Sequence, residues 1–402
     1  MMPVKICFPF VGSLVGGSHI SSAALIRHLD REKYDPIVVV QYERSAIAEL
    51  LRSENIRFEI APKTVELEHG RPVPAGAALR LLSAAPRLAR FLRSQNVQIV
   101  HCNDGRTLAT WGLPAKLATA KLLWHHRGSP NAAGLRLVAP ALADRVIAVS
   151  HFAAPRPGWY SAAPRAHVIH SPFDTNMVHD RAGARSALLD LLPAASSRAR
   201  VVAYAGALID RKRPLLFVEA IAAMRQASPR SEVHGVMFGE PLDGMAERVK
   251  ELAVRLGVQD IVHVLGYRTP GSFWLAGCDL LMIPAVDEPF GRTLIEAMLV
   301  GTPVVATASG GNIEAIRDGA TGLLVTPERP EALSAACLSL LADPARSARL
   351  ATTARIDARY RFGEEKHAEA VMAVYESMVP RGRQPHARMH FDNSAQAVGS
   401  KR

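Results

Sequence analysis

Residues 279–284 and 303–307 are two short apolar runs with room between them for one helix and its loops. Each has the length of a buried strand, and the second is rich in valine. The helix between them is expected to start near Gly291 or Arg292 and to stop before Gly301 and Pro303. Strands joined through a helix lie parallel, and parallel sheets are covered on both faces. The same alternation runs along the rest of the chain. Strand-like runs recur at 4–10, 37–40, 97–102, 122–125, 146–150 and 167–170, and again at 201–205, 233–238, 261–264, 280–284, 304–307 and 323–325. With helical stretches between them, these runs predict the α/β class, as two doubly wound, Rossmann-like parallel sheets. At 402 residues the chain exceeds one ordinary core, which also argues for two domains.

The expected layout is an N-terminal domain over 1–176, a hinge over 177–199 rich in Ala, Pro, Ser and Arg, and a second domain over 200–363. A last helix spans 364–380, and the polar stretch 381–402 has no apolar periodicity and reads as a disordered basic tail. Ser18 is the expected cap of the first helix, after a loop holding Gly12, Gly16 and Gly17. Helix 76–93 places Leu81, Leu82, Ala85, Leu88, Ala89 and Leu92 on one stripe and Arg80, Arg87 and Arg90 off it. Such a helix either packs on a sheet with a solvated face or lies on anionic lipid.

Chemistry concentrates around the first βαβ unit named above. Glu288 lies in the loop feeding the helix and Glu296 lies one turn inside it. A helix N-terminus presents free backbone N–H groups and a partial positive charge, a ready phosphate site. Phosphate there, with hydroxyl-binding carboxylates beside it, suits a nucleotide sugar. Thr293 and Glu296 also have capping-box spacing, which would leave Glu296 a purely local role.

The ordered string Glu288-Pro289-Phe290-Gly291, Thr293, Leu294, Glu296, Ala297, Met298 and Gly301-Thr302-Pro303-Val304-Val305 resembles the signature of retaining glycosyltransferases of family 4. The resemblance implies the GT-B fold: two facing Rossmann-like domains, with a C-terminal helix crossing back to the first. It implies that Glu288 contacts the donor sugar and Glu296 the nucleotide ribose. Gly16, Gly17, Lys212, Phe290, Gly291, Arg292, Thr293 and Leu294 would complete the donor site. His125, Glu288 and Lys212 are the implied catalytic residues, with His126 as the second choice for the histidine. Arg127 is a further cation for phosphate.

Ala207 departs from the pattern, because relatives commonly have an arginine there; Arg211, Arg213 or Arg292 would have to supply the missing charge. Segments 238–241 and 266–268 occupy the positions that hold base and ribose in the family. Gly310-Gly311-Asn312 reads either as a phosphate-proximal turn or as plain helix entry. No Asp-x-Asp occurs, so no metal and no cofactor are expected. No protein nucleophile is assigned, since retention in this family is thought to proceed by front-face attack.

The net charge of +11 falls to +7 without the tail, a modest excess that suits anionic substrates or an anionic membrane surface. No basic stripe interleaved with aromatics points to nucleic acid. Pro9, Gly12 and Gly16 interrupt the apolar N-terminus, which reads as a strand and not a signal peptide. The four cysteines are unpaired in spacing, as reduced thiols of a cytoplasmic protein would be. The expected partners are a nucleotide-sugar donor and a saccharide or lipid-linked acceptor, with peripheral contact at the inner membrane face as a further option. The rival readings are a nucleotide-sugar epimerase of the same fold and a non-catalytic sugar-nucleotide-binding protein.

Overall fold

The computed structural model describes residues 2–67, 73–192 and 195–379; the expected tail at 381–402 lies outside them. The first sheet holds β1 (Val4–Phe10), β2 (Tyr34–Val40), β3 (Glu59–Ile60), β4 (Ile99–Cys102), β5 (Lys121–His126), β6 (Arg145–Ala148) and β7 (Ala166–Val168). Its spatial order is β3-β2-β1-β4-β5-β6-β7, with parallel pairing. The second sheet holds β8 (Arg200–Ala205), β9 (Val233–Phe238), β10 (Val262–Gly266), β11 (Leu280–Ile283), β12 (Val304–Thr307) and β13 (Leu323–Val325). Its order is β10-β9-β8-β11-β12-β13, again parallel. Both orders reverse beside their first strand, β1 next to β4 and β8 next to β11, the place where such sheets bind ligands. β3 is the strand that sequence reasoning missed: it has two residues, both exposed, and so has no apolar run to read.

Helices α1 (Gly17–Arg27), α2 (Ala46–Ser53), α3 (Ala75–Ser94), α4 (Gly105–Leu117) and α5 (Ala139–Leu142) belong to the first domain. The second carries α6 (Arg181–Leu189), α7 (Pro214–Ala227), α8 (Met245–Arg255), α9 (Gly271–Ala276), α10 (Arg292–Val300), α11 (Asn312–Ala315), α12 (Pro330–Ala342) and α13 (Pro344–Phe362). α6 falls within the expected hinge, yet its buried Ala184 and Leu188 join the apolar core under β8 and β11. On α3, Leu82 departs from the expected stripe: it is exposed, with Leu79, while Leu81, Leu88 and Leu92 are buried.

The last helix, α14 (Glu364–Met378), crosses back as expected. Val371, Val374 and Tyr375 enter the same core as Ile6, Phe8 and Ile99 of the first sheet. Tyr34 Oη donates to Met372 O, and Arg27 forks onto the Glu364 carboxylate. The outgoing and returning strands of chain run side by side at the hinge, where Phe173 N–H donates to Phe362 O at 2.9 Å and Phe173 pairs with Gly363. Among the described residues, no helix is long and apolar enough to cross a membrane.

Candidate active site

Three elements meet at the carboxyl ends of β8 and β11. After β8, a short turn at Asp210–Lys212 aims two cations toward the β11 loop. After β11, Glu288 is buried and accepts from Arg211 Nη1 at 2.6 Å, with Lys212 Nζ 3.3 Å from the same oxygen. Burial pushes this carboxyl up, but the Lys212 and Arg211 charges outweigh it and hold Glu288 below its usual range. It is therefore an acceptor-only group, suited to receive hydroxyl protons. α10 follows, with Gly291 as its N-cap and no side chain closing its first turn. Its free N–H groups point out of the helix end beside Lys212 and Glu288, which line one crevice with Thr293, Gly291 and Tyr204.

The capping-box reading of Glu296 fails. Thr293 lies inside α10 and donates to Ala205 O at 3.2 Å, tying the helix start to the end of β8. Among the described residues Glu296 has one long ion pair, 3.8 Å to Arg292 Nη2, and it stays partly exposed. The side chains of Phe290 and Leu294 are buried: Phe290 stacks on His170, with ring centroids 5.0 Å apart, and meets Phe362 edge-on. From these two residues only the backbone faces the helix end. Gly310 has φ +57°, and a Cβ there would lie 2.5 Å from Glu288 O. Gly311 N–H donates to that same oxygen at 2.7 Å, so the Gly310-Gly311 turn braces the Glu288 loop from behind.

The first domain reaches this site through α1. Gly16 is the N-cap in place of the expected Ser18, which lies inside the helix, and the Gly16 N–H donates back to His19 Nδ1 at 2.9 Å. A Cβ on Gly17 would lie 2.7 Å from Arg292 Cδ, so only glycine admits that side chain. Arg292 spans the domains: Nη1 donates to Ser21 Oγ at 3.1 Å and to Pro172 O at 3.3 Å, and the guanidinium lies over the Phe173 ring. Arg213 points elsewhere, paired with Glu328, so it does not replace the arginine absent at Ala207. Arg211 pairs with Glu288, and Arg292 is the first residue of α10.

His125 is fully buried and faces no open space in this state. Its Nδ1 accepts from Arg127 Nη2 at 3.3 Å, and its ring lies between His101 and His367. Among the described residues, Nε2 of His125, Nε2 of His101, Nε of Arg127 and both side-chain polar atoms of Asn103 have no protein partner. Buried polar atoms are normally satisfied, so these five atoms depart from the usual pattern. Burial, then the positive charge of Arg292, brings the Arg127 guanidinium down to about 9, with Asp104 opposing. His126 points away, its Nε2 bonded to Ser129 O at 3.0 Å.

Sequence reasoning missed two further ties between the domains. Ser150 Oγ donates to Pro289 O at 2.5 Å, and the Glu314 carboxylate accepts from His151 N–H and Phe152 N–H at 2.8 and 2.9 Å. Neither has a local pattern to betray it, since the partners lie more than 130 residues apart. Among the described residues, no group of three or more His, Cys, Asp or Glu is placed to hold a metal ion.

Two family models cover most of the chain: residues 15–177 match Glycosyltransferase Family 4, and residues 193–357 match Glycosyl transferases group 1. The chain belongs to the group 1 glycosyltransferases. Similar curated proteins include the D-inositol 3-phosphate glycosyltransferase of Salinispora arenicola, 33% identical over 66% of this chain and 64% of that protein. The protein of the same description from Streptomyces bingchenggensis is 36% identical over 43% of this chain and 39% of its own length. The chain thus spans less than two thirds of these relatives. Among solved structures, Anabaena Alr3699/HepE in complex with UDP and glucose aligns with a TM-score of 0.77 at 23% identity. That alignment covers 93% of this chain and 100% of the other. A glycosyltransferase from Rickettsia africae aligns at 0.74 and 20%, over 94% and 99%. These likenesses establish the GT-B fold of this group 1 glycosyltransferase.

Proposed function

We propose that the protein transfers a sugar, with retention of configuration, from a nucleoside-diphosphate sugar to an acceptor hydroxyl. The acceptor would be of the polysaccharide, lipopolysaccharide or glycolipid kind. The observation that carries this reading is the convergence of Lys212, Arg211, Glu288 and the uncapped α10 N-terminus at the switch point of the second sheet.

In such a transfer a nucleoside diphosphate leaves as an anion while the sugar gains positive charge. Preorganised cations and backbone N–H groups are what stabilise that separation. Lys212 and the Arg292–Leu294 end of α10 would hold the diphosphate. Glu288 would then exchange part of its pairing with Lys212 for a sugar hydroxyl, remaining ionised because Arg211 stays beside it. Glu296 would accept from the ribose. Arg292 would bring positive charge from the second domain to α1 of the first, in place of the arginine absent at Ala207. No protein nucleophile is invoked, and a donor phosphate oxygen would take the acceptor proton. We assign the phosphate-neutralising work to side chains and not to a metal. Exposed Leu79 and Leu82 beside Arg80 on α3 support contact with an anionic inner membrane face.

The test is a panel of nucleotide sugars screened by thermal shift, followed by NMR of the product's anomeric centre. Retention of the donor configuration in an acceptor-linked product is expected. Release of a free epimerised nucleotide sugar without acceptor would replace this reading by an epimerase. Binding without turnover across acceptors would replace it by a non-catalytic binding protein.

A further inference from the structure

A cavity of ≈ 910 Å³ lies at the opposite edge of the second sheet, where β8, β11 and β12 begin. The donor crevice is a strand's length away, about 13–20 Å along strands of four to six residues. The cavity is walled by the start of α6, the segment leading into β8, the α9–β11 turn, the end of α10 and the first half of α13.

Five guanidinium groups line it, from Arg181, Arg185, Arg198, Arg200 and Arg355, against the single carboxylate of Asp279. That carboxylate is already committed: it accepts from Arg185 at 2.9 Å, Arg200 at 3.1 Å and Val201 N–H at 2.7 Å. Arg181 donates to Val300 O at 2.7 Å, a carbonyl that carries no compensating charge. Among the described residues, the guanidinium groups of Arg198 and Arg355 have neither an ion pair nor a hydrogen-bond acceptor. Burial draws the Arg181 guanidinium down, Asp279 and Cys278 oppose it, and Arg355 adds a smaller like-charge repulsion in the direction of burial. Cations from three separate segments therefore face one space with no anion of their own. Leu340, Leu341, Pro344 and Ala351 form an apolar wall on the other side.

We propose that this cavity is a second anion site, separate from the donor site, that binds a small organic diphosphate. Guanidinium forks match the paired oxygens of phosphate, and several forks from different directions match a diphosphate better than a lone carboxylate. The volume is that of a small-molecule pocket, and the apolar wall gives the organic part of the ligand a surface to cover. The site does not depend on what the donor site transfers.

Isothermal titration of the full chain tests this, with inorganic pyrophosphate and ADP as probes. Wild type is expected to take up two equivalents of pyrophosphate. The R198A/R355A variant, which breaks no bond among the described residues, should lose one of them or weaken it at least 10-fold. Lys212→Ala should weaken the other and leave the Arg355-dependent site unchanged. ADP binding the Arg355-dependent site more tightly than pyrophosphate identifies an organic diphosphate; equal affinity identifies the inorganic ion as the ligand. Identical isotherms for wild type and R198A/R355A, or uptake abolished wholly by Lys212→Ala, would overturn the proposal.

Discussion

Acid should unfold this protein through its buried histidines before it reaches the carboxylates. Burial, followed by the Arg127 charge, lowers His367 to about 3, and burial lowers His126 to about 4, against 6.5 for the free side chain. Each is neutral and donates to a carbonyl, His367 Nδ1–H to His170 O at 2.7 Å and His126 Nε2–H to Ser129 O at 3.0 Å. A depressed histidine means that the unfolded chain binds more protons than the folded one between the two pKa values. The stability these groups allow is therefore complete above about pH 6.5 and is lost as pH falls toward 4 and 3. At pH 5 the unfolded imidazole lies about 1.5 units below its pKa, and each unit is worth 1.36 kcal/mol, so each histidine costs about 2 kcal/mol. The pair costs about 4 kcal/mol, a large share of the 5–15 kcal/mol typical of a folded protein. For a domain of this size that is roughly 8–16 °C of melting temperature between pH 8 and pH 5. His101 and His125, both also lowered by burial, act in the same direction. Scanning calorimetry at constant ionic strength measures the drop. The variant His126→Gln, His367→Asn keeps each donated hydrogen bond without a titrating ring and should flatten the pH dependence by about half or more. Equal slopes for variant and wild type would refute the assignment.

Glu288→Gln should cost turnover, about 10²-fold or more, because its contact with the transferred sugar strengthens in the transition state; a kcat within twofold of wild type would remove Glu288 from the reacting centre. Glu296→Gln should raise KM for donor more than it lowers kcat, and weaken calorimetric binding of the bare nucleoside diphosphate; unchanged affinity would place Glu296 outside the site. Gly17→Ala puts a Cβ 2.7 Å from Arg292 Cδ, so it should mimic Arg292→Ala in turnover. The two changes together should cost little more than either alone, an interaction energy of about 1–3 kcal/mol, whereas additive losses would show that they act separately. Full activity is expected in excess EDTA, and loss with rescue by manganese would assign diphosphate neutralisation to a metal.

Local pattern was enough to read the repeated strand–helix alternation, because a parallel strand buried on both faces must be apolar along its whole length. It was enough to locate Glu288 and α10, because a helix between Gly291 and Gly301 leaves few other registers. Local pattern misled where packing decides. Thr293 and Glu296 have capping-box spacing, but the end of β8 supplies the Thr293 acceptor. Ser18 is a good cap by type, yet His19 folds back to take the Gly16 N–H. Leu82 fits an apolar stripe until α3 is seen rotated against its sheet, with that position in solvent. His125 has the right place at a strand end, and the tertiary structure then covers it with Arg127 and His367, the latter from a helix more than 200 residues later. Sequence alone determined which elements form and the order in which they follow. Only the closed tertiary structure decided that Arg292 would reach across to Gly17 and Ser21, since a contact between residues about 270 positions apart leaves no period, spacing or cap for a sequence to display.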